Sequence, residues 1–393
     1  MVTTWPQVPP GTVPLGGGGE SGVVPGGTWG QVVTINGVTY DRTGTIQPRT
    51  GALAVGTSTG DYNANEALPA KARVDVGFAN AGNLTTFTNV DDYCLRKLGN
   101  GDDLSIRGGK YIGQITEWNG TTGAGWSVPD DPDWHDHSAI LAARGRRKLF
   151  ELMYVTRRAD GISLAKASPN AMDVGDDWTI RYCALCACGD DIVENDWKDS
   201  GTIYKCLMSG VSGISTRPGS STVPEATNTS NKIIRLEGNL VWRRGKRFRN
   251  LAPRGPSGVQ LPVGTKLAFS FFKWQTDDDS PVSRASDGMQ CQLVNNVFRD
   301  DGDPVYNGQT NNIWGTLQTS GPNNRLTTCT GNVLLLPFHQ DGQYPIGWPT
   351  ADLGSGFTYL WGSAANARWN SEVNAWAAAH PEIVLETADK GLL

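Results

Sequence analysis

Gln31-Val32-Val33-Thr34-Ile35-Asn36-Gly37-Val38-Thr39-Tyr40 is the stretch whose reading decides the fold class. Two β-branched runs flank Asn36-Gly37, a pair whose backbone tolerates the positive φ angles of a tight hairpin. The same grammar recurs outward from it. Strand-like pieces stand at Ala72 to Phe78, Leu104 to Ile106, Tyr111 to Trp118, Trp178 to Tyr182, Thr202 to Cys206 and Leu267 to Trp274. A second hairpin is expected from Lys232 to Leu236 and Asn239 to Arg243 around Glu237-Gly238. Many short strands must stack or close to bury one face each, so the expectation is a mainly β chain with a β-sandwich or barrel-like body.

Two segments read as helix instead. Asp136 or Ser138 can cap a run in which Ile140, Leu141, Leu149, Phe150, Leu152 and Met153 recur at helical spacing, with Arg144, Arg146, Arg147 and Lys148 on the remaining face. Near the C-terminus, Trp369, Val373 and Trp376 stand at i, i+4 and i+7 with Ala365 and Ala377 to Ala379 alongside, and Pro381 stops the pattern. A further helical turn is expected near Asn65 to Ala72, giving two or three helices. No repeat at a fixed period is visible.

The chain has 393 residues and a net charge of -5, with 49 Gly, 14 Trp and only 19% charged residues against about 25% in ordinary soluble domains. This mixture suits turn-linked strands, and the mild acidity argues against a general polyanion binder. No basic-then-apolar leader opens the sequence, and no run approaches the roughly 18 apolar residues of a membrane helix. The best run, Val333 to Phe338, is strand-sized. Seven cysteines form no small disulfide framework, so a reducing compartment is the default.

Residues 1–30 are different in kind. Trp5-Pro6, Pro9-Pro10-Gly11, Pro14, Gly16 to Gly19 and Pro25-Gly26-Gly27 disfavour helix and central strand. Yet Glu20 is the sole charge, and Trp5, Val8, Val13, Leu15, Val23, Val24 and Trp29 are apolar. Such a segment is built to lie extended on an apolar surface, either its own body or a neighbouring subunit. The expected organisation is therefore an arm at 1–30, a β-rich body with one helix at 31–211, a Ser/Thr/Gly/Pro linker or long loop at 212–230, and a β-rich part with a C-terminal helix at 231–393.

Three clusters can carry chemistry. Asp130 to His137 holds Asp133, His135 and His137, donors for a divalent metal or an acid/base pair; acidic residues before a helix are better explained by capping. Cys183, Cys186, Cys188 and Cys206 can close a zinc site, form a disulfide or pack as buried thiols. If the segment is a strand, Cys186 and Cys188 share a face. Arg243, Arg244, Lys246, Arg247 and Arg249 form a basic patch interleaved with Trp242 and Phe248. Acidic runs at Asp277 to Asp279 and Asp300 to Asp303 are available partners within or between subunits, which is favoured over nucleic acid. Asp300-Asp301-Gly302-Asp303 lacks the spaced ligands of a calcium loop. No cofactor motif is present.

The Gly/Pro/Trp arm, the Thr/Asn/Gly-rich pieces such as Val32 to Tyr40 and the low charge resemble, in composition, virion proteins of tailed bacteriophages: head decoration proteins, capsid fibres, collar proteins and tail-fibre subunits. The resemblance implies a non-enzymatic, homo-oligomeric structural subunit, made in the host cytoplasm and placed in the virion, with copies of itself and other virion proteins as partners. The alternative is a glycan-binding or glycan-cleaving protein, with tryptophans such as Trp126 as sugar platforms and carboxylates such as Asp133 as acid and base on a host surface glycan.

Overall fold

The computed structural model of the chain describes residues 103–113, 146–158, 160–164, 177–195, 199–216, 232–244, 289–301, 324–345 and 347–392. Shorter pieces lie between 32 and 142, at 246–247, 266–267 and 270–274, and between 313 and 320. The hairpin read from Asn36-Gly37 is present: β1 (Val32–Ile35) pairs antiparallel with β2 (Val38–Asp41). Gly37 takes the positive φ that this turn requires.

The body is a parallel winding. The strands are β3 (Ser105–Gly108), β4 (Lys110–Ile112), β5 (Leu149–Glu151), β6 (Tyr154–Thr156), β7 (Trp178–Arg181), β8 (Ala184–Asn195), β9 (Gly201–Tyr204), β10 (Leu207–Thr216), β11 (Ile233–Glu237), β12 (Leu240–Arg243), β13 (Gln290–Val294), β14 (Val297–Asp300), β15 (Leu326–Thr330), β16 (Asn332–Leu336) and β17 (Phe357–Trp361). Odd-numbered strands from β3 to β15 stack in parallel as one sheet. Even-numbered strands from β4 to β16, followed by β17, stack in parallel as a second. A third parallel stack joins Ile140–Ala142, Ile162–Ser163, the far ends of β8 and β10, and Phe272–Trp274 in turn. The chain thus passes among three parallel stacks and climbs one strand spacing, about 4.8 Å, with each circuit. This is a β-solenoid, and it replaces the expected sandwich or barrel. A sandwich joins neighbours by reversing the chain; here each described rung pairs with the next rung in parallel.

The corner between the sheets explains the misreading. One residue at each corner adopts positive φ: Gly109, Leu152, Tyr182, Lys205, Gly238, Asn295 and Gly331. Glu237-Gly238 therefore turns the chain from one sheet into the other, and β11 and β12 are not the hairpin expected there. Leu152, Tyr182 and Lys205 each cost about 1–2 kcal/mol in this conformation, which the surrounding rungs must offset.

The helix expected over 138–153 is also replaced, by strands at Ile140–Ala142 and Leu149–Glu151. All three residues of β5 are buried, so the run is covered on both faces. A short segment of that kind has no period to distinguish it from helix. Inside the solenoid, Ile106, Phe150, Ile180, Ile203, Leu236 and Leu293 from the first sheet meet Tyr111, Val155, Leu185, Met208, Val241, Phe298 and Leu334 from the second.

The C-terminal helix lies where its pattern predicts. Beyond a short turn of helix, α1 (Thr350–Leu353), comes α2 (Gly362–Ala379), with Ala365, Trp369, Val373 and Trp376 buried. It packs outside the second sheet against Ala184, Cys186, Leu207, Leu240, Trp242, Val297 and Leu335. The tail then folds back through α3 (Thr387–Lys390), a strap over the same face.

Candidate assembly surface at the open end of the solenoid

From the third rung upward the residue following the positive-φ corner points inward, and it is Cys183, Cys206, Asn239, Asn296 and Asn332. Each reaches down to one carbonyl of the rung below. The Cys183 thiol lies 3.7 Å from Phe150 O and 3.3 Å from Arg181 O of its own rung, and that of Cys206 3.6 Å from Ile180 O and 3.5 Å from Tyr204 O of its own rung. Asn239 Nδ2 donates to Ile203 O (2.9 Å), Asn296 Nδ2 to Leu236 O (3.0 Å) and Asn332 Nδ2 to Leu293 O (3.1 Å). The amides also chain together: Asn239 Nδ2 donates to Asn296 Oδ1 and Asn296 Nδ2 to Asn332 Oδ1, both at 3.0 Å. Backbone amides of Cys206, Asn239 and Asn296 donate to the amide oxygen one rung above. Buried polar groups are thereby matched along the axis, as they must be in an apolar interior.

The metal candidates among the cysteines are therefore structural. Cys183 and Cys206 are ladder residues, and Cys183, Cys186, Cys188 and Cys206 are buried free thiols. Burial pushes the Cys183 and Cys186 thiols well above their ordinary range. Cys186 and Cys188 do not share a face. Ala187 takes a positive φ and the β8–β10 register shifts there, so Cys188 faces the core while Cys186 faces α2. Among the described residues no group of three or more His, Cys, Asp or Glu is placed to hold a metal ion. Asp133, His135 and His137 lie outside the described residues, as do Arg249 and the arm residues Trp5, Val8, Val13, Leu15, Val23, Val24 and Trp29.

The basic patch divides. Arg243 is buried and its Nε donates to Asp300 Oδ1 at 2.7 Å, so its charge is matched within the chain rather than offered to a partner. Arg244 lies 4.4 Å over the Trp242 ring and 3.8 Å from Asp389. Lys246 and Arg247 form a short strand paired with Lys266–Leu267. The strap closes over this side. Asp389 accepts from Tyr154 Oη (2.6 Å) and Thr156 Oγ1 (2.8 Å), Arg299 donates to Gly391 O, and Arg157 binds Glu386. Burial raises the Asp389 carboxyl, against the hydrogen bonds from Tyr154 and Thr156 and the nearby Arg244 guanidinium.

What sequence reading missed is the upper end. β15 and β17 are the last strands of their sheets. Gly354 to Gly356 cross over the corner half of β15; Asn332 Nδ2 reaches Gly356 O at 3.3 Å, and a Cβ on Gly356 would meet Cys329 O at 2.7 Å. β17 pairs with β16 along one edge, and no described strand pairs with the other. Its inward residues Phe357, Tyr359 and Trp361 continue the core stack and run out into solvent. Their rings stack at 6.4 Å and 6.1 Å between centroids. Tyr344 meets Tyr359 and Trp361 edge-on at 4.9 Å and 5.8 Å. Trp348 Nε1 donates to Tyr359 Oη (3.2 Å) and Trp361 Nε1 to Gln343 O (2.9 Å), which fixes the ring planes. Tyr344 is 43% exposed, and Phe338, two residues beyond the end of β16, is 64% exposed. The only advance signal was Phe357-Thr358-Tyr359-Leu360-Trp361 itself, an alternating aromatic strand without charge or proline.

Comparison of the chain with protein-family models, with characterised proteins and with solved structures gives no match. Its function is therefore argued from these surfaces alone.

Proposed function

We propose that the chain is a non-enzymatic, self-associating structural subunit of a phage virion that docks through residues 1–30. The observation that carries this reading is the ladder from Cys183 to Asn332. It commits the buried amides and thiols to holding rung on rung, and leaves an uncharged aromatic strand edge at one end. Such an axis is a stiff spacer, because every rung is hydrogen-bonded to its neighbours along its length. The arm supplies the attachment. Seven apolar side chains, at roughly 1.5–3 kcal/mol each when buried, offset the ordering of a Gly/Pro chain only on a preformed surface. A second copy or another virion component provides that surface.

The test is deletion of residues 1–30 followed by light scattering coupled to size exclusion. The expected product keeps the β circular-dichroism spectrum of the full chain and loses its higher oligomers. Unchanged oligomers after deletion would overturn the role given to the arm.

A further inference from the structure

We infer that β17 is a contact between two copies of this chain, its open edge pairing antiparallel with the same edge of the second copy about a two-fold axis at Tyr359. The inference rests on the self-associating reading above and names the surface and symmetry that such association uses.

Exposed strand edges are normally blunted by lysine, proline, bulges or inward charge. β17 has none of these: Phe357-Thr358-Tyr359-Leu360-Trp361 contains no charge and no proline, and its register with β16 runs unbroken over all five residues. Alternate residues of the strand turn their N–H and C=O groups away from β16, and a second strand is the occupant that satisfies them all. Antiparallel addition to a parallel sheet is common at sheet edges.

The strand is its own complement. With Tyr359 on the axis, Phe357 faces Trp361 of the partner subunit, Tyr359 faces its own copy, and Thr358 faces Leu360 of the partner subunit. Aromatic meets aromatic on the inward row, and cross-strand pairs of that kind stabilise antiparallel ladders. No like charges oppose one another. A two-fold contact also closes on itself, leaving no end for runaway growth. The arm is a poorer occupant of this edge, since Pro6, Pro9, Pro10, Pro14 and Pro25 have no N–H to give a ladder.

The size of the contact sets its strength. With about 200 Å² of surface on an aromatic side chain, the exposed part of Tyr344 offers about 90 Å², and a five-residue strand edge adds an area of similar order. Together they fall well below the roughly 800 Å² per copy that a standard stable interface buries. The β17 contact is therefore weak and reversible alone, and becomes firm where the arms hold two copies at high effective concentration.

Cysteine cross-linking of the full chain tests it. Residues directly opposite in an antiparallel pair lie within disulfide reach, whereas diagonal neighbours do not. Tyr359→Cys under a mild oxidant is expected to give a 359–359 disulfide dimer, about tenfold or more above the yield from Thr358→Cys, which lies one residue off the axis. If Tyr359→Cys fails to fold, a mixture of Thr358→Cys and Leu360→Cys chains is expected to give the mixed disulfide in its place. Self-association of the unmodified chain without either cross-link overturns the β17 contact alone. Absence of any self-association overturns the structural reading beneath it.

Discussion

Asn296→Ala tests the ladder at its most connected point. Asn296 is fully buried, and its amide makes four hydrogen bonds: it accepts from Asn239 N and Asn239 Nδ2 and donates to Leu236 O and Asn332 Oδ1, each at 3.0 Å. Three of these partners keep another bond. Asn239 Nδ2 still reaches Ile203 O, Asn332 Oδ1 still accepts from Asn296 N, and Leu236 O keeps its place in the parallel ladder with β13. The fourth, Asn239 N–H, is a backbone donor held inside an apolar core. Orphaning it costs about 1–3 kcal/mol, which is the expected loss before any cavity cost. That is a large share of the roughly 5–15 kcal/mol that holds an ordinary domain. Urea unfolding followed by circular dichroism reads the loss, with tryptophan fluorescence reporting on the rungs around Trp242 and Trp369. Because the ladder's hydrogen bonds join each rung only to its neighbours, the two probes are expected to separate as the chain breaks at the Asn296 rung. A loss below about 1 kcal/mol with coincident transitions would refute the idea that the ladder holds the rungs together.

Two further perturbations probe the corners and the strap. Gly331→Ala places a side chain at the positive φ of a corner, where its Cβ would crowd only the tip of the exposed Asn295 side chain, which can swing aside. Thermal melting is expected to show Gly331→Ala losing the backbone cost of about 1–2 kcal/mol; no loss would remove the corner argument. Asp389 faces Tyr154, Thr156, Arg244, Glu386 and Cys186, and burial holds its carboxyl above the ordinary value. Its contribution to seating the strap is thus complete below the usual carboxylate pKa of about 3.9 and is lost as pH rises through the raised value. Hydrogen exchange of residues 383–391, corrected for intrinsic rate, is expected to speed up over that window in the native chain and to be flat in Asp389→Asn. The same pH dependence in both would place the titration elsewhere.

Local chemistry was legible in the sequence, and long-range order was not. Asn36-Gly37 announced its hairpin because both flanks and the turn agree. Trp369, Val373 and Trp376 announced α2 because one face is buried against a sheet and the other faces solvent. The strands of the body were visible as strands, but nothing in Ile203, Leu236 or Leu293 says that each stacks in parallel on the next rung. Leu149 and Phe150 misled because full burial erases alternation, the one feature that separates a short strand from a helix. The acidic run beginning at Asp300 was one of two available partners for the basic patch, within or between subunits; that it pairs with Arg243 inside the chain, and buried, was not legible.

The absence of a visible repeat has a physical cause. The ladder positions are equivalent in space but lie 33, 57 and 36 residues apart from Cys206 to Asn239, Asn296 and Asn332. Loop closure grows only slowly in cost with length, so each circuit tolerates its own excursion while the corner stays fixed. The position is also chemically degenerate. An amide and a thiol can both reach the carbonyl below, so one role appears as Cys in the lower rungs and as Asn in the upper ones. Read by residue type, Cys183 and Cys206 look like metal ligands; read by place in the winding, they are early members of an asparagine series. It follows that the ladder line of this chain has little freedom to acquire a site, because its amides already serve their neighbouring rungs. The upper end is different: there the aromatic stack leaves the core and a strand edge has no described strand beside it.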